Sequence, residues 1–215
     1  MVVAWAATVT ALAAGCAGAP SNTAPAPAVA SASVAPDAAA SGAPAPASSA
    51  AAPSGAPEVN PAGDIPDNQV FVPFTSPDSA VVVSVPEGWA RSTDGGATVF
   101  TDKFNSVRVE VGPRASAPDP ASVRTSDVPL LQASTPGFAL HDVQSVRRKA
   151  GAAVLVTYDA DSPVNPVTGK WVLEAVERYT FWQGGKQAVV TLAGPTNADN
   201  VDPWRIVTDS LRWNA

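Results

Sequence analysis

The chain of 215 residues holds one cysteine, one histidine and no lysine or arginine before Arg91. The lone Cys16 excludes an internal disulfide. The lone His141 excludes a zinc centre of the usual kind, which takes three or four His, Cys or acidic ligands. His141 is also the only imidazole available for acid–base chemistry. Its neighbour Asp142 points to the opposite face of a strand and cannot orient it. Neither a catalytic residue set nor a metal site is expected, and nothing in the sequence calls for a cofactor. Basic clusters are scarce too. The one run, Arg147-Arg148-Lys149, reads as a solvated turn tip, and the stretch 67–215 carries all 13 basic and 16 of the 19 acidic residues. That acidic balance argues against a nucleic-acid partner, which requires a clustered basic surface. Long hydrophobic runs are missing as well: the longest uncharged apolar stretch, residues 2–14, is too short to span a bilayer.

That stretch fits the hydrophobic core of an export signal. It ends in Leu12-Ala13-Ala14-Gly15-Cys16, which resembles a bacterial lipobox, although Leu12 stands four residues before the cysteine and Ala13 fills the usual leucine slot. Residues 1–15 are therefore expected to be a lipoprotein signal peptide, with Cys16 as the lipidation site. Two acyl chains on Cys16 suffice for stable anchoring, so the membrane is the first expected partner. No positive charge follows Met1, whereas leaders usually begin with one, so the expected translation start lies upstream.

Residues 16–66 are expected to be a disordered linker. They consist almost wholly of Ala, Pro, Ser, Gly and Thr, and ten of the chain's 22 prolines fall before residue 67. Such a segment has no apolar set to bury. It would reach ~155 Å as a polyproline helix or roughly 40 Å as a flexible coil. The composition, with the lipobox, points to a high-GC actinobacterium and suits O-glycosylation.

A globular α+β domain is expected over 67–215, a common domain length. Val107, Val109 and Val111 alternate with Arg108 and Glu110, the period-two pattern of a strand with one buried face. Strands are also expected at 70–74, 79–85 and 97–101. Pro113–Thr125 reads as loop, and a short helix as Asp127–Ala133 with Pro129 in its first turn. Two hairpins follow, one turning at Lys149-Ala150-Gly151 and one at Gln183-Gly184-Gly185. On the first arm of the second hairpin, Trp171, Leu173, Ala175, Tyr179 and Phe181 share a face that Glu177 interrupts. A last helix opens with Asp202 as N-cap and Pro203 at the first helical position, and a short strand ends the chain. Together these give a single antiparallel sheet of six to seven strands with one or two short packed helices.

Val85-Pro86-Glu87-Gly88-Trp89 after a strand, the mid-chain helix, the two hairpins, and Asp202-Pro203-Trp204-Arg205-Ile206 with Asp209-Ser210 resemble actinobacterial lipoproteins of the LpqN type, with a PsbP-like α/β/α sandwich domain. The resemblance implies an accessory or binding role rather than catalysis.

The loop from Ser162 to Lys170, stiffened by Pro163 and Pro166, lies beside Trp171 and Trp182. With Arg178, Lys170 and Asn165 these residues form the candidate binding surface, suited to an envelope protein, a wall glycan or a small ligand. Two other readings are kept. One is a carboxylate-dependent envelope hydrolase using Glu174, Glu177 or Asp159, which requires two of them to converge with separated pKa values. The other is a lipid carrier with an apolar cavity between sheet and helices.

Overall fold

The computed structural model describes residues 63–165 and 169–214. The signal peptide, Cys16 and most of the linker lie outside the described residues, as do Pro166, Val167 and Thr168. No described helix is long and apolar enough to cross a membrane.

Among the described residues, ten strands and two helices make an α+β fold. Seven strands form one antiparallel sheet. A first meander contributes β3 (Ala90–Asp94), β4 (Ala97–Asp102) and β5 (Asn105–Pro113). A second contributes β6 (Ala139–Arg148), β7 (Gly151–Asp161), β8 (Leu173–Gln183) and β9 (Lys186–Pro195). The spatial order is β3-β4-β5-β9-β8-β7-β6, so the meanders join where β9 pairs with β5. Helix α1 (Pro120–Ser134) carries the chain from β5 across one face to the far edge at β6. Tight turns fit this plan: Gly184 and Gly185 both take positive φ, +57° and +83°, which lets β8 reverse directly into β9.

Both faces are packed. Val123 and Val128 of α1 press onto Val143, Val154, Val156, Tyr158 and Val176. On the other face lie α2 (Val201–Ser210) and a separate three-stranded sheet of β1 (Phe71–Thr75), β2 (Val81–Pro86) and β10 (Arg212–Trp213). There Phe74, Val81, Val83, Trp204 and Val207 meet Phe100, Val107, Tyr179, Phe181, Val190 and Leu192. Each fully buried side chain of this kind contributes about 1.5–3 kcal/mol.

The fold class matches the expectation, with details the sequence did not disclose. The first two expected strands lie outside the main sheet, in the small one. Strand β3 was not anticipated, because every one of its residues is exposed and it carries no buried alternation. Helix α1 begins at Pro120, in a stretch read as loop. Asp119 is its N-cap, accepting from the N–H groups of Ala121 and Ser122, while the Ser122 hydroxyl accepts from Asp119 N–H, a reciprocal capping box. Pro129 therefore stands inside the helix, where its missing N–H breaks one backbone bond. The last helix is flanked by Asn200, not capped by Asp202, and Asn200 makes no side-chain cap bond.

Asn200 is engaged elsewhere. Its Oδ1 accepts from Ile65 N–H (2.8 Å) and its Nδ2 donates to Asn105 Oδ1 (3.0 Å). Asn105 Nδ2 in turn donates to the Gly63 carbonyl (2.8 Å). This buried clasp holds the segment before β1, including the buried Ile65, against the β4–β5 turn and the start of α2.

Candidate functional site

Helix α1 covers only part of its face. Its buried cluster takes in β6, β7, β8 and Ala193 of β9, leaving the β3–β4–β5 part of that face uncovered. A cleft of about 430 Å³ lies there. Its floor is made by side chains that register places on one face: Val99 opposite Arg108, Arg108 opposite Thr191, and Thr101 opposite Ser106. Asp94 of β3 and the turn Lys103-Phe104-Asn105 form one wall, and Ser162–Asn165 with Glu174 form the other.

Glu174 stands out chemically. It is 8% exposed, opposite Ala160 and Pro195, and no described residue donates a hydrogen bond to it. Burial without a compensating partner pushes its carboxyl up from 4.5 to about 7, because the charged form loses hydration. The other charges on this face are paired. Arg108 donates to the Asp94 carboxylate and, at 3.1 Å, to the Asp94 carbonyl, and lies 3.6 Å from Glu110. Arg178 donates to Thr191 Oγ1 at 3.0 Å and sits 3.9 Å from Glu110. Buried Tyr158, on the same face, has its hydroxyl pKa raised, first by desolvation.

The expected binding surface is not one surface. Asn165 lines the cleft, and its N–H donates to the Lys170 carbonyl (2.8 Å), which closes the loop. Trp171 is 55% exposed before the start of β8, and Lys170 is exposed beside it. Arg178 is half-buried in mid-strand. Trp182 lies eleven residues beyond Trp171 near the other end of β8, roughly 36 Å away along an extended chain. Its indole N–H donates to the Arg114 carbonyl (2.9 Å), a structural bond. The sequence picked out Asn165 and, for another role, Glu174. It missed Asp94, Ser106 and Arg108. The signal for Arg108 was present: the polar side of the β5 alternation faces the cleft.

The three carboxylates weighed for hydrolysis do not converge. Glu174 belongs to the α1 face, whereas Glu177 and Asp159 belong to the other by strand alternation and register. Glu177 Oε2 accepts from the Tyr179 hydroxyl (2.7 Å), and that hydroxyl accepts from Arg148 (2.7 Å), which answers its place on an apolar face. Burial and the Glu177 bond drive the Tyr179 hydroxyl pKa upward. Asp159 lies 3.0 Å from His141 Nε2. Among the described residues, no group of three or more His, Cys, Asp or Glu is placed to hold a metal. The apolar side chains beneath both helices are packed into the two cores rather than lining a lipid-sized cavity.

No family model matches the sequence. No curated protein matches it either. Solved structures resemble its fold at low identity. A Bacteroides thetaiotaomicron structure shares 13% identity over 66% of this chain, with a TM-score of 0.42, and this chain spans 48% of that one. LpqN of Mycobacterium tuberculosis, involved in cell envelope biogenesis, shares 15% identity over 69% of this chain and 93% of its own, with a TM-score of 0.42. CyanoP from Synechocystis sp. PCC 6803, a cyanobacterial PsbP, shares 13% over 71% and 98%, with a TM-score of 0.47. At these values no activity or site residue is carried over.

Proposed function

We propose that this protein is an exported lipoprotein, tethered through lipidated Cys16 to the outer face of the cytoplasmic membrane, whose domain is a non-enzymatic binding module for a small ligand. The cleft beside Glu174 is the ligand site. The observation that carries this reading is one largely buried carboxyl, without a partner among the described residues, that opens on a cleft of about 430 Å³, a volume suited to a small molecule. Catalysis by carboxylates needs two groups in complementary protonation states within reach of one substrate. The neighbouring carboxylates, Asp94 and Glu110, are paired with Arg108 and Arg178, so Glu174 is left to recognise rather than to turn over.

The anchor and the site are tested separately. Expressed with its native leader in an actinobacterial host, the protein is expected in the membrane fraction, and Cys16→Ala moves it to the soluble fraction. Membrane retention of Cys16→Ala would overturn the anchor. Native mass spectrometry of the protein gently released from that host is expected to show an added mass of a few hundred daltons. Ser106→Phe, which fills the cleft floor, should abolish it. An adduct that persists in Ser106→Phe places the ligand elsewhere and refutes the site.

A further inference from the structure

The cleft's charges narrow the ligand's chemistry. Arg108 is shared between Asp94 and Glu110, and Arg178 is held by Thr191 and Glu110. Lys103, at the rim, has a side chain 78% exposed and 4.0 Å from Asp102. The elements packed around Glu174 bring it no charge: Ala160 and Tyr158 face it from β7, and Pro195 and Ala193 from β9. On its own strand, Arg178 lies four residues along, past Val176. Arg124 of α1 is bound to Asp142 and the Val143 carbonyl. Among the described residues, Glu174 is thus the one carboxylate of the cleft without a cation.

Removing a carboxylate from water is costly unless a cation and hydrogen-bond donors replace the water. No described residue supplies them, and the Glu174 oxygens open on the cleft, where a ligand can. An anionic ligand would have to draw Arg108 from two carboxylates and would still face Glu174. A neutral apolar ligand would bury the carboxyl further with no compensation. The rest of the lining, from Val99, Phe104, Pro163 and Val164, suits hydrocarbon. We propose that the cleft selects small molecules bearing a primary ammonium group on an apolar body, with the ammonium seated against the Glu174 carboxylate. This rests on the cleft being the ligand site, and the test separates the two.

The probes are phenethylamine and its uncharged counterpart 2-phenylethanol, titrated calorimetrically into the full chain carrying Cys16→Ser. At pH 8 the amine is expected to bind about ten-fold more tightly than the alcohol. Between pH 8 and pH 6 amine affinity should fall about ten-fold, since a carboxyl titrating at about 7 is mostly protonated at pH 6. At pH 6 amine binding should release a proton, visible as a dependence of the measured heat on the buffer's ionisation enthalpy. Glu174→Gln should equalise the two probes and abolish proton release while keeping alcohol binding, which also shows that the variant is folded. If both probes bind equally at pH 8, or if the amine preference survives in Glu174→Gln, the ammonium site is wrong and the cleft stands as a ligand site. If neither probe binds at millimolar concentration, the cleft itself fails as the site.

Discussion

Replacing Glu174 by Gln removes the one buried carboxyl without a partner among the described residues, and its consequence for stability has a definite sign. Burial raises the Glu174 carboxyl from 4.5 to about 7, so folding favours the protonated form. Its stabilising contribution is complete below pH 4.5 and is lost as the pH rises through about 7. At about 1.4 kcal/mol per pH unit, a displacement of that size sets an upper limit of about 3 kcal/mol. The carboxyl opens on a cleft, and screening by water reduces this to about 1–2 kcal/mol. The assay is urea or thermal unfolding of the wild type and Glu174→Gln at pH 5 and pH 8.5. The unpaired amide of Gln costs stability too, but equally at both pH values, so the change in the difference isolates the ionisation. The variant should gain about 1–2 kcal/mol on the wild type across this interval, roughly 3–6 °C in Tm. Asp78 and Asp119, both held below 3.8, lose their contributions only at more acid pH and do not enter. A difference independent of pH would refute the claim that Glu174 is buried without a partner.

Other consequences follow from single contacts. Asn200→Ala leaves Ile65 N–H and Asn105 Oδ1 without their partner and should cost about 1–3 kcal/mol in urea unfolding. It should also raise amide exchange before β1. Tyr179→Phe removes the hydroxyl between Glu177 and Arg148 and should destabilise the fold by about 1–3 kcal/mol, while Glu177→Gln, which can still accept from Tyr179, costs less. Trp182→Phe loses the bond to the Arg114 carbonyl and should cost about 1 kcal/mol without changing affinity for any cleft ligand. A large loss of affinity in that variant would return Trp182 to the binding surface.

What the sequence disclosed follows from where side-chain alternation is tied to burial. The hairpins β6–β7 and β8–β9 and the strand β5 stand out because one face of each enters a core, and glycines mark the turn between β8 and β9. Strand β3 has no buried side chain, so only its pairing with β4 defines it. The start of α1 was hidden by its prolines, which suggested a loop, although Asp119-Pro120 with Ser122 is itself a start signal. The site was harder to find. Its residues come from β3, β4, β5, β8, β9 and the loop after β7, and the pairing of β5 with β9 brings them together across 83 positions of sequence from Arg108 to Thr191 and 87 from Ser106 to Ala193. Alternation labels Arg108, Glu174 and Thr191 as polar positions. It cannot tell that the helix on that face stops short of them.

The shape of the fold accounts for the cleft and leads to a prediction opposite to that for an ordinary charged residue. Seven strands at about 4.8 Å spacing span roughly 29 Å, while a helix with its side chains is about 10–12 Å wide. One helix therefore leaves much of a seven-stranded face bare. The chain fills that region with Arg108, Glu110, Arg178 and Thr191, which satisfy one another and tolerate water. Glu174 does not fit that solution, and an apolar residue at its position would serve the fold better. Glu174→Met, close in volume, should therefore stabilise the protein above pH 8, where the wild type carries the unpaired charge, while abolishing the preference for an amine over an alcohol. Gain of stability with loss of selectivity is the behaviour of a group kept for binding. If Glu174→Met instead destabilises the protein at that pH, the carboxylate has a partner in the folded state and is part of the scaffold, and the binding role assigned to it falls.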